Sequence, residues 1–362
     1  MYDLPDRFTA PPTPEQLAVL EKRLSDANAA PLRPGASLPF QLEERFKDAQ
    51  VHPQTLETVT DSPMPRRPLD HILIAALTAF PSPGRSSNLS IRLVSSVRIG
   101  VPLWSQVWVG EVEKDGRRVG EVVVKFLVEA LFPFPRGEEV RRAAEQYDWR
   151  SGRELATAEA RAYAAFRPVQ GRDVPYCYGV GSFRMPWGEE ALGLLLEDLS
   201  EKAKTLQAAN AWDDMENVQA DEIDGLVHFS STFFLLSQNL TNLPQICRLF
   251  ETQRRLQDLG VVQFEATHTN ILVLKETQDI NDPKVVFLDF GTTISAADHR
   301  RFLHVEAEWA RQQGFGYEVA EDDWRGGDEA HLETWLYELF GDAMAEWRAM
   351  ENRRNLLGLV RE

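Results

Sequence analysis

The sequence predicts an α+β fold in which a strand-rich segment precedes a mainly helical one, with polar residues gathered where the two meet. Two observations carry this prediction. Between Leu89 and Leu199 the chain is dominated by β-branched and aromatic runs bounded by glycine and charged turns, whereas beyond Asp221 helices dominate. One hairpin interrupts the helical part, pairing Asn270-Ile271-Leu272-Val273-Leu274 with Val285-Val286-Phe287-Leu288 across a polar turn at Gln278 to Lys284. This layout belongs to a cleft enzyme or to a descendant of one.

Residues 1–85 read as an N-terminal helical extension. Thr13-Pro14-Glu15-Gln16 offers an N-cap, a first-turn proline and a capping-box glutamine for a helix running through Asp26. Pro39 to Gln50 and Pro68 to Ala79 fit two further helices between Pro-rich loops, and Pro81-Ser82-Pro83-Gly84 breaks the pattern. Residues 86–199 form a β-rich lobe. Its strands are Ile91 to Val97 and Gln106 to Glu113, joined by a loop containing Gly100, then Val119 to Leu127 after the turn Lys114-Asp115-Gly116. A helix from Ser151 to Phe166 follows, and after it strands near Tyr176 to Phe183 and Ala191 to Glu197. Residues 200–362 hold the hairpin and are otherwise helical, with one helix around His304 to Gln313.

Composition narrows the function classes. A chain of 362 residues with 43% hydrophobic content can fill two or three cores. A net charge of −17 repels polyanions, and Arg66-Arg67, Arg254-Arg255 and Arg353-Arg354 are too short and scattered to form a basic stripe, so nucleic acid is not expected as a partner. Only Cys177 and Cys247 are present, which argues against a disulfide framework or a cysteine-based zinc site. No apolar run approaches the ~20 residues that span a bilayer, and Met1-Tyr2-Asp3-Leu4-Pro5-Asp6 does not read as a signal peptide. A soluble protein of the reducing cytoplasm, with no membrane partner, is the expectation. The sequence implies no oligomeric state.

Two groups of residues point to chemistry. Lys125 interrupts the apolar run Val122-Val123-Val124-Lys125-Phe126, and an ammonium on a largely buried strand needs a partner. The next helix offers Glu159 first and Glu154 second; a lysine held this way points at phosphate oxygens, whereas an edge-strand lysine simply reaches water. The hairpin sets Asn270 beside Asp289 of Asp289-Phe290-Gly291, at neighbouring strand ends. An amide and a carboxylate there can share a divalent cation, and that cation can hold a nucleotide's phosphates.

In this order, strand lysine, helix glutamate, the run Leu194-Leu195-Leu196-Glu197-Asp198-Leu199 and Asp-Phe-Gly resemble the protein-kinase-like fold. The resemblance is to fungal kinase-like families related to aminoglycoside and choline kinases. Gly152-Arg153-Glu154-Leu155-Ala156 through Tyr163, with Val174-Pro175 and Pro186-Trp187-Gly188, adds to it, and the similarity covers roughly residues 90–310. It implies two lobes, a β-rich small one and a mainly helical large one, with Lys125 and Glu159 as the small-lobe ion pair. By the same resemblance, Glu197 to Leu199 is the hinge that meets adenine, and Asn270 and Asp289 are the metal ligands. ATP and Mg2+ are the implied cofactors, with Ser105 available to cap a phosphate.

The match has gaps. Where the family has His-Gly-Asp or His-Arg-Asp, this chain has Gln263-Phe264-Glu265, so the base position falls to Glu265. Its extra methylene moves the carboxylate by about 1 Å, and misplacement of that order costs ~10²-fold. Arg98-Ile99-Gly100-Val101-Pro102-Leu103-Trp104-Ser105 keeps one glycine where a phosphate-covering loop has several. In that loop Trp104 is expected to pack in the core rather than line a ligand pocket. His268 is a hydrogen-bonding loop residue or an acid–base group, and Glu306 and Glu308 lie on a solvated helix face or in the cleft. No Ala-Pro-Glu follows Gly291, which points away from a protein-substrate kinase and toward a small-molecule kinase or a pseudokinase. Three readings stand: an ATP- and magnesium-dependent phosphotransferase on a small molecule, a pseudokinase that binds or scaffolds, and a kinase fold turned to non-phosphoryl chemistry with Glu265 as acid or base.

Overall fold

The computed structural model describes residues 13–51, 65–78, 88–101, 103–132, 150–205, 252, 255–256, 258–263, 270–275, 284–291 and 293–295. It is a mixed α/β structure built round a strand-rich barrel.

Helix α1 spans Pro14–Ala29. Its capping box is complete: the Thr13 hydroxyl accepts from the Gln16 amide at 3.3 Å, and the Gln16 side chain accepts from the Thr13 amide at 2.8 Å. The next segment corrects the sequence reading. Instead of a helix over Pro39–Gln50 there is a strand, β1, at Ser37–Leu42, followed by a 3-10 helix at Glu44–Ala49. Leu38 and Phe40 are buried while Ser37, Pro39 and Gln41 are exposed, a period of two that only a strand provides. Leu38 lies opposite Ile91, and Phe40 stacks on Phe183 with ring centroids 4.9 Å apart. Helix α2 covers His71–Thr78, and Asp70 accepts from the Leu73 amide at 2.9 Å to start it.

Strands β2 (Leu89–Arg98), β3 (Gln106–Lys114), β4 (Arg117–Leu127), β5 (Cys177–Arg184) and β6 (Glu190–Leu196) complete the sheet. The order is β1-β2-β3-β4-β6-β5, closed into a barrel with every neighbour antiparallel. The N-terminal segment therefore contributes a stave to the sheet, and it is not a purely helical appendage.

Alternation along β4 sets the chemistry. Val122, Val124 and Phe126 join the barrel core with Trp108, Ile91 and Leu195. Leu127 faces the opposite side and packs with Leu155, Leu194 and Leu196. Lys125, between Val124 and Phe126, shares that outer side by the period of two. Helix α3, Gly152–Ala165, lies there, N-capped by Ser151. It turns Leu155, Ala156, Glu159, Ala160 and Tyr163 inward at helical spacing.

Strand β7 (Ala203–Thr205) joins β9 (Ile271–Leu274) and β10 (Val285–Phe287) in the order β10-β9-β7. Between β7 and β9 in the chain, β8 (Val261–Gln263) pairs with β11 (Thr293–Ser295). The β9–β10 pairing matches the hairpin expected from sequence, with Ile271 opposite Phe287. Ile271, Val285, Phe287 and Phe290 pack into the same core as α3. Of the helices expected beyond Asp221, Thr252, Arg255, Leu256 and Asp258 are described and helical, and the rest lie outside the described residues. Among the described residues no helix is long and apolar enough to cross a membrane.

Candidate active site

The site forms where the outer face of β4, the buried face of α3 and the end of β10 converge. Lys125 comes from β4, and its ammonium donates to Glu159 Oε1 on α3 and, at 2.6 Å, to Asp289 Oδ1 just past β10. The helix partner is thus Glu159; Glu154 sits in the first turn, its amide capped by Ser151 at 3.1 Å. Glu159 lies in the middle of an apolar stripe and is 1% exposed, which is costly for a carboxylate without a cation beside it.

One ammonium serves two carboxylates, and the three groups respond differently. Burial pushes the Glu159 carboxyl up to about 7, with Lys125 opposing and Asp289 adding to the shift. Burial also acts to raise Asp289, but Lys125, then Arg98 and the Gly291 amide outweigh it and hold that carboxyl below its ordinary value. Burial works to lower Lys125; the charges of Asp289 and Glu159 overcome it and hold the ammonium above its ordinary value. Lys125 and Asp289 therefore stay charged at neutral pH, and Glu159 is the group that takes up a proton first.

Backbone geometry aims Asp289. Its φ is 60°, a left-handed conformation that aspartate tolerates better than most residues. The Leu288 amide donates to the Asn270 carbonyl at 2.8 Å, so Asn270 and Asp289 sit at adjoining ends of β9 and β10. The neighbouring Gly291 is fixed by crowding: a Cβ there would stand 3.3 Å from Glu159 Oε1.

From the start of the loop between β2 and β3, Arg98 approaches this cluster. Ser105 is buried, and its hydroxyl accepts from Arg98 at 3.0 Å. The same guanidinium stands 3.9 Å from Asp289 Oδ2. Gly100 is clamped by Gln106, whose amide side chain takes the Gly100 N–H at 2.9 Å and donates to its carbonyl at 2.8 Å. Trp104 packs on Phe132, ring centroids 5.2 Å apart, against the core cluster under α3.

At the end of β6, the Glu197 side chain is buried in an ion pair. It is held bidentately by Arg67 at 2.9 Å on each oxygen and also accepts from the Tyr176 amide at 3.2 Å. Its own amide donates to Tyr176. Among the described residues the Glu197 carbonyl and the Leu199 amide take no hydrogen bond.

No family model matches this sequence, and no curated protein matches it. Among solved structures, one described as WaaP in complex with acyl carrier protein is similar over 56% of this chain at 13% identity, with a TM-score of 0.30. The match spans 63% of that chain's length, less than two thirds. A likeness at that level establishes neither fold family nor function.

Of the residues singled out in the sequence, the structure brings Lys125, Glu159 and Asp289 into contact and places Asn270 at the adjoining strand end. Ser105 enters only through Arg98. Glu265, Phe264, His268, Glu306 and Glu308 lie outside the described residues. Arg98 and Arg67 had no role in the sequence reading. Arg98 carried a signal, since it is the only cation in a loop expected to meet phosphate. Arg67 carried none, because its partner lies 130 residues away.

Proposed function

We propose that the chain is a kinase-like protein whose cleft binds a magnesium nucleotide, and that it acts as an ATP-dependent phosphotransferase on a small molecule. The observation that carries the reading is the Lys125 ammonium shared between Glu159 on α3 and Asp289 past β10. A cation that rigidly placed, at the mouth of a pair of strand ends, is positioned for an anionic ligand.

The donors present fit the implied groups. Asn270 and Asp289 offer oxygen ligands, the hard type that magnesium takes, and magnesium needs only one or two protein carboxylates beside water and phosphate. Lys125 is held charged by two carboxylates and can turn to phosphate oxygens when Asp289 turns to a metal. The Glu197 carbonyl and Leu199 amide, with Asp198 between them, offer the acceptor and donor an adenine edge requires. When bound, ATP supplies the phosphoryl group and magnesium neutralises its charge. Within this reading residues 86–199, joined by strand β1, are the small lobe and 200–362 the large one, with Glu265 accepting the proton of the acceptor hydroxyl.

Titration of the protein with ATP tests the reading. Saturable binding that weakens when magnesium is chelated is expected; no binding at millimolar ATP, with or without magnesium, would overturn it. A second reading, nucleotide binding without transfer, rests on Gln263-Phe264-Glu265. Turnover decides between them: Glu265→Gln should lower transfer by ~10²-fold, the usual weight of a positioned base, and an unaltered rate assigns the chain to the binding class.

A further inference from the structure

We propose that Arg98 holds the phosphates of the bound nucleotide, standing in for the backbone cradle that its loop lacks; this rests on the nucleotide reading of the cleft. Phosphate-covering loops use backbone amides presented by glycines. Here the loop has one glycine, and the Gln106 side chain already takes its amide at 2.9 Å. Gly100 has a φ of 148°, in the region that favours glycine, so the position serves the turn that Gln106 clamps. That amide is spent on the chain's own glutamine.

Arg98 occupies the vacated role by its placement. It ends β2, with Val97 and Ile99 on either side turned to solvent at 57% and 51% exposure. Its guanidinium is anchored on the buried Ser105 hydroxyl at 3.0 Å and reaches to 3.9 Å from Asp289 Oδ2. Both contacts are made by one terminal nitrogen and the side chain remains 44% exposed, so part of it stays open to a ligand. Lys125 stands on the other oxygen of the same carboxylate at 2.6 Å.

Two cations therefore flank Asp289. A divalent metal on that carboxylate competes with both, and the 3.9 Å contact of Arg98 is the looser. Once released, the guanidinium lies beside the position that metal-bound phosphates take, with donors in a planar fork that matches phosphate oxygens. Ser105, buried and accepting from the guanidinium, acts as the positioning residue.

Binding of adenosine, AMP, ADP and ATP, each with magnesium, tests this in the wild type, Arg98→Ala and Arg98→Lys. Affinity should climb with phosphate number in the wild type. In Arg98→Ala, ATP binding should weaken by roughly 10- to 100-fold, the weight of hydrogen bonds to a charged group. Adenosine binding should stay within about twofold, because no phosphate contact is lost. Arg98→Lys should recover part of the loss, restoring charge without the fork. Equal loss for adenosine and ATP would show that Arg98 only shapes the loop, and tighter ATP binding would show that it blocks the metal; either overturns the proposal. Unaltered ATP affinity in Arg98→Ala also overturns it while leaving the nucleotide reading intact. A wild type that binds none of the four ligands removes that reading itself.

Discussion

At the scale of single residues, the chemistry of this protein follows from one ammonium placed where the alternation of a strand would put an apolar side chain. Lys125 was legible because Val122-Val123-Val124-Lys125-Phe126 leaves a buried charge that must find a partner, and Glu159 was legible as a carboxylate on the next helix. Arg98 was not, because its role depends on the path of a loop and on a serine seven residues on. The lysine's sharing between two carboxylates makes stability depend on pH. Folded Glu159 takes up its proton about pH 7, whereas its ordinary value is 4.5. Between those values the folded state holds the extra proton, so this group's contribution is full below 4.5 and is lost as pH rises to about 7. Glu159→Gln removes that slope. Urea unfolding from about pH 5 to about pH 8 should show the stability of wild type relative to Glu159→Gln declining up to about pH 7 and flat above it. A difference that grows with pH contradicts the assignment of the proton to Glu159.

At the scale of elements, local signals were read where they are short-range. The capping box of α1, the N-cap serine of α3 and the β9–β10 hairpin all lie within a few residues or across one turn. The sequence reading passes over strand β1 although Leu38, Phe40 and Leu42 alternate strictly, because Pro39 interrupts the run and the hydrogen-bonding partners, β2 and β5, lie far along the chain. The same holds for the tie between the N-terminal segment and the end of β6. Arg67 and Glu197 are 10% and 5% exposed, and Arg67 also donates to the carbonyls of Arg172 and Val174 at 2.8 and 3.0 Å. Arg67→Ala leaves the Glu197 charge buried without its cation and should cost about 3–5 kcal/mol. The paired change Arg67→Met with Glu197→Leu removes both charges and should recover much of that loss. Denaturant unfolding of the two proteins measures the difference; a single variant as stable as the wild type would show that the pair carries no structural weight.

At the scale of the whole molecule, the sheet is closed rather than open. A barrel leaves no edge between β1 and β5 for another chain to extend. Closure also fixes the outer face of β4 against α3, and the backbone bond from the Phe287 amide to the Asp173 carbonyl at 2.9 Å ties the β9–β10 hairpin to the chain that follows α3. Lys125, Glu159 and Asp289, separated by up to 164 residues, are brought together by that frame. The sequence pointed to the pairing of Lys125 with Glu159; the contact of Lys125 with Asp289 depends on the folded frame, and the extra stave is marked locally only by the alternation of Leu38, Phe40 and Leu42 around Pro39. The account turns on whether that meeting point is a nucleotide site. Determining the structure with magnesium and a non-hydrolysable ATP analogue tests it most directly. The account predicts the metal on Asn270 and Asp289, phosphate oxygens within hydrogen-bond reach of Lys125 Nζ, and the adenine edge against the Glu197 carbonyl and Leu199 amide. An analogue that stays out of the cleft at saturating concentration, or that binds with Lys125 still joined to both carboxylates, would contradict it.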